Sequence, residues 1–435
     1  MRWKAELGVL VMLCGLGAGT SMAQTVLQPS TTPPPKPTTS DTRLVDAQKA
    51  VDQNDYARAA ALLGDFLKDH PENAAAHFQL AFAYGELKRT DESVAEYRRA
   101  IEIDPSFSEA HLNLGLTLLN RGDNSGAATQ FLHAVELMPG QAKPRYLAGL
   151  ALERAGKLPE AIQQYEQAGA ADTKGYEIYF RWGLTLERVG RAADAEDRLR
   201  QAIALRPDFA PAHLALAGAL LDEKKSDAAA AELAEYLKQN PNDTNARMQL
   251  ASALNNSGKP AEALAELDRA DAIAAPDVPR LKLRASISIS QKDWDGAVRA
   301  LSAAATQEPG DAGLHAELGR IYLEKRDFAN AERELRRALS INPNEEGTLG
   351  NLITTVYLAG NYPAALDLLD IQEKRMAATP FMLFLRATCY DKLHRNAEAA
   401  AAYQQFLDAD QGRDDKEEFQ ARERLKVLLR ELNKK

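Results

Sequence analysis

The segment Asp91–Pro105 reads DESVAEYRRAIEIDP and contains a pattern that recurs along the chain. A small residue, Ser93, is followed one helical turn later by the large Tyr97, and Pro105 ends the segment. Because proline lacks an amide hydrogen and clashes with the preceding turn, it predicts the end of a helix. The same order occurs in two further segments, Gly126–Pro139 and Asp194–Pro207.

A 34-residue frame starting at Ser40 accommodates this pattern without insertion or deletion, and it predicts eleven repeats over residues 40–413. Position 20 of the repeat is Ala in ten repeats and Ser in one, so two helices must approach closely there. Position 24 is always Leu, Phe or Tyr. Glycine recurs at position 15, where a turn is expected, and proline recurs at position 32. Each repeat is therefore predicted to be a pair of helices.

The 34-residue period, the positions that hold only small or only large residues, and the final proline together resemble the sequence pattern of the tetratricopeptide repeat (TPR) family. The resemblance implies an all-α fold, a right-handed α-solenoid of eleven helix-turn-helix units that ends in a capping helix. The tenth repeat departs from the pattern, because Ile353 and Gln372 occupy slots that are normally small. A local change of packing is expected there.

The resemblance also implies that positions 2, 5, 9, 12 and 13 of each first helix face a concave groove. This stripe is apolar in repeats two to six and polar or small in repeats seven to ten. One hypothesis is that the apolar half accepts hydrophobic anchors of a peptide, and the alternative is that positions 5 and 12 pack between repeats. The candidate contact residues are Phe78, Phe82, Leu112, Leu116, Tyr146, Phe180, Leu184, Asn255 and Asn256.

Both ends of the chain differ from the repeats. Residues 1–23 have a basic start, a short apolar stretch and a small-residue cleavage site before Gln24, which predicts an export signal. Lipidation at Cys14 is a rival interpretation, disfavoured because a large residue, Leu13, precedes it. Residues 24–39 are a proline- and threonine-rich linker. Residues 414–435 predict an amphipathic capping helix, with a membrane- or partner-binding helix as the alternative.

No catalytic signature stands out in the chain. Four of its 7 histidines share position 4 of the repeat, which indicates one structural slot used four times. The acidic run around Asp408 and Asp410 resembles part of a calcium loop, but it lacks the glutamate at the twelfth position and is interpreted as a solvated linker. A buried, unpaired Cys389 is expected. We therefore predict that the chain is not an enzyme and needs no metal or cofactor. A hydrolase or transferase is the disfavoured alternative.

Composition limits the partners. Among 435 residues, 53 Lys and Arg against 62 Asp and Glu leave a net charge of −9, which argues against nucleic acid as a ligand. No segment predicts a membrane span. The expected function is a protein-binding scaffold in the cell envelope, exported to the periplasm or the exterior. An assembly factor for polysaccharide, pilus or outer-membrane protein export is the alternative, and self-association through Pro380–Leu385 is a further hypothesis.

Overall fold

A computed structural model describes residues 41–410 and 415–433, and every regular element in these ranges is an α-helix. The predicted export signal, Cys14, the linker at 24–39, and Gly412 and Asp414 of the acidic run lie outside the described residues. The helices are α1 Thr42–Asp52, α2 Tyr56–Asp69, α3 Ala74–Glu86, α4 Thr90–Ile103, α5 Ser108–Arg121, α6 Asn124–Leu137, α7 Ala142–Arg154, α8 Leu158–Ala171, α9 Tyr176–Arg188, α10 Ala192–Leu205, α11 Ala210–Asp222, α12 Ser226–Gln239, α13 Thr244–Asn256, α14 Pro260–Ile273, α15 Val278–Ser290, α16 Trp294–Gln307, α17 Ala312–Glu324, α18 Phe328–Ile341, α19 Glu346–Leu358, α20 Tyr362–Glu373, α21 Pro380–Lys392, α22 Asn396–Asp410 and α23 Asp415–Leu432.

The helix boundaries follow the repeat frame. From α3 at Ala74 to α21 at Pro380, each first helix begins 34 residues after the preceding one, and the second helices keep the same interval from Tyr56 to Asn396. Helices that follow one another in the chain pack together in pairs. The predicted all-α solenoid of helix-turn-helix repeats is therefore confirmed.

Two compact blocks divide the described residues, one up to Pro241 and one from Asn242 onward. The first block contains α1–α12 and the second contains α13–α23. None of the described helices combines the length and the apolar character needed to cross a bilayer.

Small residues at position 8 of the first helix let a large side chain of the second helix pack against its backbone. A Cβ atom on Gly115 would lie 2.6 Å from Cε1 of Phe131, and one on Gly149 would lie 2.7 Å from Cε1 of Tyr165. Both aromatic rings are fully buried. Burying such a ring contributes about 2 kcal/mol or more, so the alternation of small and large slots stabilises each pair.

Position 15, between the two helices of a pair, has a left-handed backbone in all eleven repeats. Five of these residues are glycines, whereas the other six are non-glycine residues with φ between 57° and 62°. At Gly122 the turn closes with a 2.9 Å hydrogen bond from the amide of Asp123 to the carbonyl of Leu118. Such a bond satisfies a carbonyl at the helix end, and the geometry requires a positive φ at the residue before the donor. The turn is thus imposed by packing even where glycine is absent.

The last repeats show two local variations. In the tenth pair Ile353 is buried at the normally small position 8, and α20 has 12 residues where other second helices have 14 or 15. After the eleventh pair, α23 buries Ala421 and Leu428 against α22. Arg424 fixes this helix by donating two hydrogen bonds of 2.7 Å to the carboxylate of Asp391. The buried face of α23 is the one that its apolar spacing predicts.

Candidate peptide-binding surface

The first helices of neighbouring repeats lie side by side within each block. In the first block α9 contacts both α7 and α11, and α3 contacts α5. In the second block α13 contacts α15, and α17 contacts α19. We call positions 2, 5, 9, 12 and 13 of the first helices, which the sequence predicts to share one face, the first-helix surface.

Most of the predicted apolar contacts of this surface are buried. Phe78 and Leu116 have no exposed surface, while Phe82, Leu112 and Phe180 are 8%, 7% and 5% exposed. Their binding of a peptide stays a prediction, but contacts with other side chains of the array already account for their burial.

The physical cause is an aromatic residue that precedes the next first helix. Phe107 packs on Phe78 with 4.9 Å between ring centroids, and Phe209 packs on Phe180 with 5.0 Å between centroids. These contacts cover position 5 and remove it from solvent. Of the other predicted contacts, Tyr146, Leu184 and Asn255 are half-buried, and Asn256 is exposed at the end of α13.

In the fourth to sixth repeats, charged side chains at position 12 of one repeat and position 13 of the next lie on neighbouring first helices. Glu153 is buried on α7, where it accepts a 2.8 Å hydrogen bond from Tyr165 and a 3.2 Å bond from Arg188 of α9. One repeat later the same two positions hold Glu187 and Asp222. Burial and the negative charge of Asp222 raise the pKa of Glu187 to about 7. The positions that hold the ion pair of Glu153 and Arg188 therefore hold two acidic side chains one repeat later.

A cleft of about 270 Å³ opens between α17 and α19 in the second block. It coincides with positions 2, 5, 6 and 9 of the first helices, which belong to or adjoin the predicted groove stripe. The residues that line it are Gly313, Ala316, Glu317, Arg320, Glu345, Gly347, Thr348 and Asn351.

The cleft exists because two residues at its edge are glycines and have no side chain. Gly313 and Gly347 stand at position 2 of their repeats and both are exposed. A Cβ on Gly347 would meet only the flexible carboxylate of Glu345, at 3.4 Å. The glycines therefore leave backbone accessible on a surface that larger residues would otherwise cover.

Five of the side chains that line this space are polar, and Asn351 and Arg320 are the hydrogen-bond donors best placed for a ligand. Asn351 is half-buried, and within the described ranges its carboxamide has no hydrogen-bond partner. Arg320 is 42% exposed and lies 3.4 Å from the carboxylate of Glu317. The sequence predicted a polar or small stripe in these repeats, but it did not single out Arg320 or Glu317. The signal that could have identified them is their place in the repeat, since Arg320 is at position 9 and Glu317 is at position 6.

Two further predictions concern reactive side chains. Cys389 is buried, as expected, and is a free thiol among the residues that the structure describes; burial raises its pKa to about 11. Across residues 41–410 and 415–433, no group of three or more His, Cys, Asp or Glu side chains is arranged to hold a metal ion.

Comparison with known proteins identifies the family. Three family models, each described as tetratricopeptide repeat, match residues 46–106, residues 96–129, and the segments 188–245, 220–287 and 288–346. Together they cover more than half of the chain, which belongs to the tetratricopeptide repeat superfamily. Proteins of this superfamily bind other proteins or peptides. No curated protein matches the sequence.

The chain also matches solved structures of repeat proteins. The protein YrrB, described as "a TPR protein with an unusual peptide-binding site", is 22% identical over 43% of this chain and 96% of its own, with a TM-score of 0.40. PilF of Pseudomonas aeruginosa is 22% identical over 48% of this chain and 94% of its own, with a TM-score of 0.38. A repeat protein of Parabacteroides merdae is 14% identical over 65% of this chain and 98% of its own, with a TM-score of 0.40.

Proposed function

We propose that this chain is a non-catalytic scaffold that binds an extended peptide or protein segment, with the cleft between α17 and α19 as the principal contact. The observation that carries the proposal is the coincidence of this cleft with the stripe that faces a ligand in the family. The cleft combines accessible backbone at Gly313 and Gly347 with the carboxamide of Asn351.

The chemistry of the cleft suits a peptide backbone. A carboxamide both donates and accepts hydrogen bonds, so Asn351 can pair with an amide and a carbonyl of an extended chain. Arg320 adds a charged donor for a carbonyl or carboxylate. The two glycines allow the ligand backbone to approach closely. An extended segment presents these groups in regular order, whereas a folded surface hides most of them.

A bulky side chain in the cleft tests the proposal. The probe is a phage-displayed library of random linear peptides, selected on the full-length protein. Gly347→Trp fills the cleft, and its Cβ has space. The matched control is Gly140→Trp, at an exposed glycine of the first block with nothing within 4 Å of its Cβ.

Selected peptides are expected to lose about tenfold or more in affinity for the Gly347→Trp variant and to bind the control as they bind the unmodified protein. Unchanged helical circular dichroism establishes that both variants fold. Peptides that bind all three proteins equally would overturn the assignment of the cleft, and selection of no peptide would count against linear segments as ligands.

We also propose that the scaffold acts outside the cytoplasm, in the periplasm or on the exterior, within the cell envelope. The basic, apolar and small-residue order of residues 1–23 supports this placement. N-terminal sequencing of the protein recovered from cells tests it. A mature chain that starts at Gln24 is the expected result, and an intact Met1 in the cytoplasmic fraction would contradict it.

A further inference from the structure

Three of the four histidines at position 4 share one arrangement. The Nδ1 atom of each lies 2.5 to 2.8 Å from a glutamate carboxylate of the second helix, and Nε2 lies 2.9 to 3.4 Å from a proline carbonyl of the preceding repeat. The ring therefore joins the end of one helix pair to both helices of the next. The three sets are His77 with Glu96 and Pro71, His213 with Glu232 and Pro207, and His315 with Glu334 and Pro309.

Both partners of each ring are hydrogen-bond acceptors. A neutral imidazole has one N–H donor and one acceptor nitrogen, so it can satisfy only one of the two oxygens. The imidazolium has two donors and satisfies both. Because these rings are almost buried, with 10 to 12% of the side chain exposed, water offers little replacement for the lost contact.

Other repeats put a permanent cation in the same slot. Arg247, also at position 4, donates a 2.8 Å hydrogen bond to Glu266, which is the residue equivalent to Glu96. Arg145, at position 4 of the fourth repeat, donates a 3.1 Å bond to the carbonyl of Pro139. The slot thus accepts a side chain that is always protonated.

The fourth histidine lacks the carboxylate. His111 places Nδ1 2.9 Å from the side-chain amide of Gln130 and Nε2 3.1 Å from the carbonyl of Pro105. An amide can present either its oxygen or its NH₂ group, so a neutral ring satisfies both contacts here. The pair of His111 and Gln130 therefore serves as a comparison for the three histidines that face a glutamate.

The other charged groups around the three rings are largely paired among themselves. Near His77, Arg99 of α4 binds Glu72 of the connector. Near His213, Glu235 of α12 binds Lys238. Near His315, Arg333 of α18 lies 3.0 Å from Glu334 itself. Each ring therefore has one carboxylate as its direct charged partner.

We propose that His77 is a pH-responsive clamp between the first and second repeats, closed when its ring is an imidazolium. Deprotonation turns one ring nitrogen into an acceptor that faces an oxygen, so one of the two contacts is lost. The clamp then leaves these two helix pairs less firmly joined in alkaline than in mildly acidic solution.

The test follows the ring nitrogens by ¹⁵N NMR of the full-length protein labelled at its 7 histidines. Glu96→Gln gives His77 the partner that His111 has, and Glu92→Gln removes another carboxylate from α4 as the control. Substitution His77→Arg installs the permanent cation of the fourth and seventh repeats.

The titration midpoint of His77 is expected to fall in Glu96→Gln and to stay in place in Glu92→Gln. The loss of thermal stability between pH 6 and pH 8.5 is expected to be smaller in His77→Arg than in the unmodified protein. A single protonated nitrogen on His77 throughout the titration, or equal midpoints in all variants, would overturn the proposal. The unmodified protein alone decides the first outcome, so a variant that fails to fold leaves the test intact.

Discussion

Arg188 of α9 donates a 3.2 Å hydrogen bond across to Glu153 of α7, and so links position 13 of one repeat to position 12 of the repeat before it. The next step of the array, from Asp222 of α11 to Glu187 of α9, uses the same positions with two acids. Because the repeat places equivalent residues in equivalent surroundings, the change from Arg188 to Asp222 at position 13 puts a negative charge where the preceding step has a positive one. Burial and Asp222 together raise the pKa of Glu187 to about 7.

The first prediction concerns Glu187→Gln. In the unfolded chain Glu187 titrates near its ordinary value, and in the folded protein at about 7. Folding therefore favours the protonated form, and stability that is present below the unfolded pKa is lost as the pH rises through 7. The variant is expected to remove this loss, on the order of 2–3 kcal/mol between pH 4.5 and pH 8. Urea unfolding at several pH values measures it, and Glu153→Gln is the control.

The second prediction reverses the charge of the partner. Asp222→Arg copies the arrangement of Glu153 and Arg188 one repeat later, so the pKa of Glu187 is expected to return toward its ordinary value. Stability at pH 8 should rise by about 1 kcal/mol, since a repulsion is replaced by a partly exposed ion pair. A lower unfolding midpoint than in the unmodified protein would contradict the equivalence of the two steps.

The third prediction concerns the left-handed turn between paired helices. Lys224 and Arg326 have φ of 60° and 58°, which costs about 1 kcal/mol for a residue with a Cβ atom. Replacing either by glycine is expected to raise the unfolding free energy by about 0.5 kcal/mol, because the extra entropy of glycine in the unfolded chain offsets part of the gain. Gly122→Ala should lower it by about 1 kcal/mol. Equilibrium unfolding of the three variants checks the opposite signs.

The fourth prediction concerns the small slot at position 8. A side chain on Gly149 would meet the ring of Tyr165 at 2.7 Å, so Gly149→Val is expected to destabilise the protein by about 2–3 kcal/mol. Gly64 of α2 has nothing within 4 Å of its Cβ position, and Gly64→Ala should stabilise by about 0.5 kcal/mol. Thermal unfolding compares the two, and equal effects would show that crowding does not explain the small slot.

Much of the fold could be predicted because the same residue types recur at the same positions of each repeat. The alternation of Ala at position 20 with a large residue at position 24 marks the contact between paired helices, and the spacing of Pro105 and Pro139 gives the period of 34 residues. The structural slot of the histidines was also predicted, since His77, His111, His213 and His315 make equivalent contacts. Local turn chemistry explains only five of the eleven left-handed residues at position 15.

The sequence by itself determined the family, the helix pairs and their register, because these depend on residues within one 34-residue period. Only the tertiary structure decided which side chains of the first helices meet solvent. Phe107 covers Phe78, burial together with Asp222 raises the pKa of Glu187, and the cleft opens where Gly313 and Gly347 are neighbours. The deciding residue lies 29 to 35 residues along the chain, in or just before the next first helix, so exposure and charge depend on how consecutive helix pairs pack rather than on either sequence alone.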